Sequence, residues 1–325
     1  MFYGMFKRLL WFVYLLIFLV LALLYLVMRP TWVGTVKAGL TGNSANPDVL
    51  QQHVKFLSDS LESRSYQMRD GLNLASDYIE SQMRKQHAKV NIQSYHVNGL
   101  TYQNVIATHG PDDAPMIVVG AHYDAYGGFP GADDNASGVA GLLELNRLLA
   151  KERLNKQVVL VAYTLEEPPI YASKGMGSVI HAESLNKEKV VLMISLEMIG
   201  YFNDEANSQD YPVSALGWLY PDTGHFITVV DEIFSTAGQK LKKTFNQQGL
   251  IEAYSINAPV TVPGIDFSDH RSYWALDIPA IMVTDTAFYR NQNYHTANDT
   301  YDTLDYQRMS YVVSGVLIHI KALTQ

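Results

Sequence analysis

The sequence predicts an α/β three-layer sandwich with a mostly parallel mixed sheet, preceded by one N-terminal transmembrane helix. Three observations predict it. Apolar runs such as MIVVGA (116–121) and VVLVAY (158–163) hardly alternate in polarity, as strands covered on both faces do not. Longer amphipathic segments separate these runs, the pattern of strand–helix crossovers. Leu9–Met28 carries no charge and, as a helix, spans about 30 Å, the thickness of a bilayer core.

Taken in order, residues 1–8 form a short tail containing Lys7 and Arg8, and residues 9–28 an anchor. Trp11, Phe12 and Tyr14 lie near one end of the apolar run and Tyr25 near the other, the places where aromatic rings favour membrane interfaces. MRPTWVGTV, which follows, has no Ala-x-Ala site, so the run is read as an uncleaved anchor and not a signal peptide. Lys7, Arg8 and the terminal amine outweigh Arg29 and Lys37. The positive-inside rule then puts the tail in the cytoplasm and the rest beyond a cytoplasmic (inner) membrane, crossed once, in the periplasm where there is one.

Residues 29–46 read as a linker and 47–325 as one domain. Asn46 and Pro47 suit the cap and first position of a helix over 47–61, and a second helix fits 71–88. Strands are expected at Asn104–Thr108, Met116–Ala121, Val158–Tyr163, Val190–Leu196 and Ala280–Thr284. Helices are expected at Ala136–Glu152, Met176–Ser184, Thr223–Ala237 and Tyr306–Leu323. Asn203–Asp222 has little periodicity, and a loop that long often forms a pocket wall.

Composition narrows the chemistry. Of 325 residues, 48% are hydrophobic, enough for a large core. The formal net charge of −8 has the wrong sign for a nucleic-acid partner. Cysteine is absent, which excludes disulfides, thiolate metal sites and a cysteine nucleophile, so any metal must be held by His, Asp and Glu.

Such residues stand beside the expected strand ends. His122-Tyr123-Asp124 follows MIVVGA, and GADDNASG (131–138) precedes a helix. Glu166-Glu167 follows VVLVAYTL, Glu197 ends MISLE, and His295 lies in a loop after AIMVT. In a parallel sheet these places share one rim, where ligands bind. Alone, each has an ordinary reading: a turn with a helix cap, a solvated glutamate pair, a packed histidine. Their common rim sets them apart. A pair of cations needs a bridging carboxylate, terminal ligands, and one free carboxylate to take a proton. Glu166 and Glu167 can divide the last two roles, and Asp124 can orient His122 through its other ring nitrogen.

HYD, GADDNASG, the glutamate pair, LEMIGY and NYHTANDTYDTLD together resemble the dinuclear zinc aminopeptidases of the bacterial leucyl aminopeptidase type, peptidase family M28, from about Leu50 onward. The resemblance implies a zinc-exopeptidase-like fold and two Zn2+, replaceable by other divalent metals. It implies His122, Asp134 (bridging), Glu167, Glu197 and His295 as ligands, Glu166 as general base, and Asp124 behind the first histidine. Asp133 matches no ligand. The implied reaction is hydrolysis of an N-terminal peptide bond by a di-zinc-bridged water, with peptide or protein N-termini as substrates. Two alternatives share the fold: a glutaminyl cyclase-like, mono-zinc acyltransferase and a non-catalytic scaffold. His270 reads as structural, beside a helix that Ser268 could cap. Arg290 and Tyr294 read as loop residues or substrate contacts. His53, His87, His96, His109, His181, His225 and His319 receive no role.

Overall fold

The computed structural model describes residues 2–31, 44–61, 63–86 and 88–325. Most of the expected linker, and His87, lie outside the described residues. Helix α1 (Phe2–Met28) begins before Leu9, so the short tail belongs to it. It is long and apolar enough to cross a membrane, and no residue from Met5 to Met28 is buried.

The domain follows as α2 (Pro47–Asp59), α3 (Arg69–Arg84), β1 (Lys89–Val97), β2 (Leu100–His109), β3 (Met116–His122), α4 (Gly138–Leu149), β4 (Gln157–Tyr163) and α5 (Gly177–Ser184). It continues as β5 (Val190–Leu196), β6 (Ile227–Asp231), α6 (Ala237–Gln248), β7 (Ala253–Asn257), α7 (His270–Trp274), β8 (Ala280–Thr284) and α8 (Tyr306–Leu323). Asn46 caps α2, its side chain accepting from the Asp48 amide at 2.8 Å, with Pro47 at the first position.

The strands form one sheet in the order β1-β2-β4-β3-β5-β8-β6-β7. The pairs β3–β4, β3–β5, β5–β8 and β6–β7 are parallel, and β1–β2, β2–β4 and β6–β8 antiparallel. Helices α2, α3, α4, α6 and α8 pack on one face, and α5 and α7 on the other. Ile117, Val119 and Ala121 enter the larger core on the first side, while Val118 faces the smaller core with Val159, Val161 and Tyr163. Burial on both faces is why MIVVGA and VVLVAY lack alternation.

One expected helix is overturned. Thr223–Ala237 contains β6, and α6 starts only at Ala237. Ile227 and Val229 join the main core while Val230 joins a third cluster, so side chains are buried on both faces, which suits β-branched residues in a strand. Strands β1 and β7 lie outside the expected set. β1 lies at one edge with mostly half-exposed or exposed residues, and β7 lies at the other and is short.

Gly120 in β3 leaves room for the Tyr163 ring, which a Cβ would overlap; Tyr163 in turn pairs its hydroxyl with that of Tyr273 at 2.7 Å. Gly120→Val is therefore expected to destabilise the domain by about 1–3 kcal/mol. A thermal midpoint equal to that of the parent chain would contradict this packing.

Candidate metal centre

The central strands deliver the site. Strands β4, β3, β5 and β8 are neighbours with a common direction, so the residues after them meet at one rim. His122 is the last residue of β3, Glu166 and Glu167 follow β4, Glu197 follows β5, and His295 lies beyond β8. Asp134 comes from the turn between β3 and α4.

Two groups place ligand atoms within 4.8 Å of one another: His122, Asp134 and Glu197, and Asp134, Glu167 and His295. Asp134 belongs to both. Nε2 of His122 lies 3.4 Å from Asp134 Oδ1 and 3.3 Å from Glu197 Oε2. Nε2 of His295 lies 3.0 Å from Asp134 Oδ2 and 3.2 Å from Glu167 Oε2. Glu166 belongs to neither group, yet its Oε2 is 3.9 Å from His122 Nε2. Three buried atoms here have no hydrogen-bond partner: His122 Nε2, His295 Nε2 and Glu167 Oε1. Buried orphans on imidazole and carboxylate, aimed into one space, are the donor set of a divalent cation.

Neighbouring residues hold these side chains in place. Asp124 Oδ1 and Oδ2 accept the amides of Glu166 and Glu167 at 3.2 and 2.9 Å. His122 Nδ1 is closer to the Asp124 carbonyl oxygen, at 3.1 Å, than to its carboxylate, at 3.5 Å. Asp124 thus orients the imidazole mainly through its backbone, and its carboxylate sets the turn that carries the glutamates. Asp299 performs the same task for Asp134, accepting the amides of Asp133 and Asp134 at 2.9 and 3.1 Å. Buried Arg64 ties the Tyr123 and Gly131 carbonyls together at 2.9 and 2.8 Å. Ser268 donates to Glu197 Oε2 at 2.7 Å, and the His295 ring lies between Tyr294 and Tyr126, with centroids 3.7 and 4.0 Å away. The backbone is strained at the same places: Leu165, Met198 and His295 have φ of 63°, 49° and 56°.

Burial and crowding shift the charges of the clustered groups. Burial pushes Glu166 well above the usual carboxylate range, against the pull of His122. Burial and the charge of Asp134 raise Glu167 to about 8, and burial raises Glu197. Burial acts upward on Asp134 too, but contacts with His122 and His295 override it and hold that group low. Burial would lower His122, yet Glu197 and Glu166 keep it well above its ordinary value; burial acts downward on His295 too, but Asp134 and Glu167 take it to about 9. The cluster is short of positive charge, and protons fill the deficit when cations do not.

Other expectations resolve differently. Ser268 does not cap α7; its hydroxyl serves Glu197. His270 is buried with Nε2 on the Ile265 carbonyl at 2.8 Å, and burial lowers it to about 4. Arg290 is buried beside the 203–222 segment. Its guanidinium joins Gln209 Oε1, the Phe226 carbonyl and the Tyr201 carbonyl at 2.9, 2.9 and 3.3 Å, clipping the 203–222 segment down. Tyr294 and that segment line a cleft that reaches Glu197 and is bounded by Phe226, Ile256, Ile265 and Phe288. His53, His109, His181 and His319 bond Tyr78, Asn146, Tyr273 and Thr244.

Asp133 and Asp134 form an internal contrast. Asp133 turns inward, held by Gly200 N and Asn291 Nδ2 at 3.1 and 2.8 Å, and burial beside Asp285 raises its pKa well above the ordinary range. Asp134→Asn is expected to abolish binding of divalent cations, and Asp133→Asn to retain it. Metal content of the purified variants, measured by mass spectrometry, checks this; equal losses would contradict a special position for Asp134.

The profile of Peptidase family M28 matches residues 104–317. The chain is 45% identical over 315 residues to the uncharacterized protein YfbL of Escherichia coli (strain K12), covering 94% of this chain and 96% of that one. It is 31% identical over 214 residues to leucine aminopeptidase 2 of Trichophyton equinum, covering 65% of this chain but 38% of that longer protein. Among solved structures it is similar to BSAP, a zinc aminopeptidase from Bacillus subtilis (TM-score 0.70, 13% identity, 88% of this chain and 96% of that one). It is similar also to Porphyromonas gingivalis glutaminyl cyclase (TM-score 0.65, 19% identity, 87% and 100%). Both structural likenesses speak for the fold, which hosts more than one chemistry. The matched span begins in β2 and ends in α8, taking in all of the clustered rim residues, and the chain belongs to peptidase family M28.

Proposed function

We propose that the chain is a membrane-anchored, metal-dependent aminopeptidase with a two-cation centre. The carrying observation is that Asp134 is shared by two ligand groups while Glu166 lies beside them and belongs to neither. His122, Asp134 and Glu197 would hold one cation, and Asp134, Glu167 and His295 the other. Nitrogen and oxygen donors without sulfur suit zinc, with manganese or cobalt as substitutes. When bound, the cations would polarise a peptide carbonyl and acidify a nearby water.

The side chains have separable tasks. Glu166 accepts a proton from the attacking water at its carboxylate and returns it to the leaving amine. Burial raises the pKa of that carboxylate, which strengthens its hold on the proton it takes from water. Asp124 and Asp299 fix the turns that bear Glu166, Glu167 and Asp134. The cleft beyond Glu197 receives the side chain of the substrate's first residue, and its lining favours a large apolar one. Helix α1 holds the enzyme in the inner membrane, with the domain on the periplasmic side.

Glu166→Gln is expected to keep the metal content and lose about 10²–10⁴-fold in turnover. Near-parental turnover would remove Glu166 from its role. Free-amine substrates with Leu or Phe first should be cleaved, and their N-acetylated forms spared. Cleavage of the blocked forms alone would exclude an aminopeptidase. One cation per chain with cyclisation of N-terminal glutamine would favour the acyltransferase reading.

A further inference from the structure

The C-terminal end of α1 meets the domain in a specific receptor. Lys242 on α6, only 5% exposed, donates from Nζ to the carbonyls of Met28 and Arg29, both at 2.7 Å. Ser255 Oγ of β7 donates to Met28 O at 3.3 Å, and Gln239 Nε2 to Pro30 O at 2.9 Å. The Met28 carbonyl is one that a helix end leaves without a partner, and a cation there also meets the negative end of the helix dipole. The Arg29 guanidinium donates to the Ile233 carbonyl at 2.9 Å and lies 5.8 Å from the centre of the Tyr25 ring.

The residue after Ile233 is Phe234, which is 79% exposed in the turn between β6 and α6. Tyr25, Arg29 and Phe234 therefore gather at the point where the apolar helix ends. A tyrosine at such a boundary marks the level of the lipid headgroups, and Arg29, itself buried, fastens the helix end to the turn that carries Phe234. We propose that the 232–235 turn lies in that interfacial layer, with Phe234 inserted among lipid headgroups and upper acyl chains, so that the domain is seated on the bilayer. The proposal rests on reading α1 as an anchor. Its occupant is the lipid that surrounds the chain's own helix, because Phe234 is joined to the end of that helix through Arg29 and Ile233.

The absence of cysteine makes the test direct, since one introduced thiol is the only one to label. Full-length Leu16→Cys, Phe234→Cys and Leu100→Cys variants carry an environment-sensitive fluorophore in phosphatidylcholine nanodiscs, with and without brominated acyl chains. Leu16 lies within α1, and Leu100 starts β2 near the far edge of the sheet. Emission at 16 and 234 is expected to shift to the blue and be quenched by bromine, while that at 100 is unchanged. Quenching at 16 without quenching at 234 overturns the seating and leaves the anchor standing. No quenching at 16 removes the anchor and the seating with it. Lys242→Met in the Phe234→Cys background should reduce quenching at 234; unreduced quenching would overturn the part assigned to Lys242.

Discussion

Asp134, Glu166, Glu167 and Glu197 share one buried corner with the imidazoles of His122 and His295. Burying unpaired carboxylates costs several kcal/mol each, so this corner cannot be maintained by packing alone. Much of the surrounding architecture answers that constraint. Arg64 brings a buried cation to the back of the cluster, and burial lowers even its pKa, to about 10. Asp299 and Asp124 take no part in ligation distances but stiffen the turns from behind with paired amide contacts. Cation binding and folding of this rim are consequently coupled, because the ligands are assembled only in the folded chain.

Much of this was legible in the sequence, for a physical reason. Strands buried on both faces are apolar throughout, so a charged residue at the end of such a run stands out, as His122, Glu166 and Glu197 do. The unpatterned segment 203–222 was equally visible, and its Gln209, Tyr211 and Tyr220 do line the cleft. What could not be read are contacts with no local signature. Ser268 precedes a helix and looked like its cap, and nothing in the neighbouring residues reveals that it bonds Glu197. Asn135 and Asp299 sit inside the quoted motifs, but their partners lie far along the chain. The segment holding β6 carries an amphipathic pattern that suits a helix, while its burial on both sides is decided by residues far along the chain.

The adjacent aspartates show how backbone geometry assigns chemistry. Asp133 and Asp134 have the same side chain and nearly complete burial, yet one faces the protein and the other the rim. Asp133 meets Asn291 and Gly200, so it joins the His295-bearing loop to the strand end after Glu197. Arg290, next to Asn291, extends the same connection to Gln209. A single network thus spans the ligand-bearing turns and the wall of the cleft.

The reversal of β6 against β8 has a consequence for how this architecture can diversify. Because β6 runs opposite to its neighbour, the excursion from Glu197 to Phe226 leaves the sheet and returns to it on the same side as the histidines. It is a closed detour, fastened at its base by Arg290. Such a detour can lengthen, shorten or exchange its residues without moving any strand, so the shape of the recess can drift between related proteins while the charged corner stays constant.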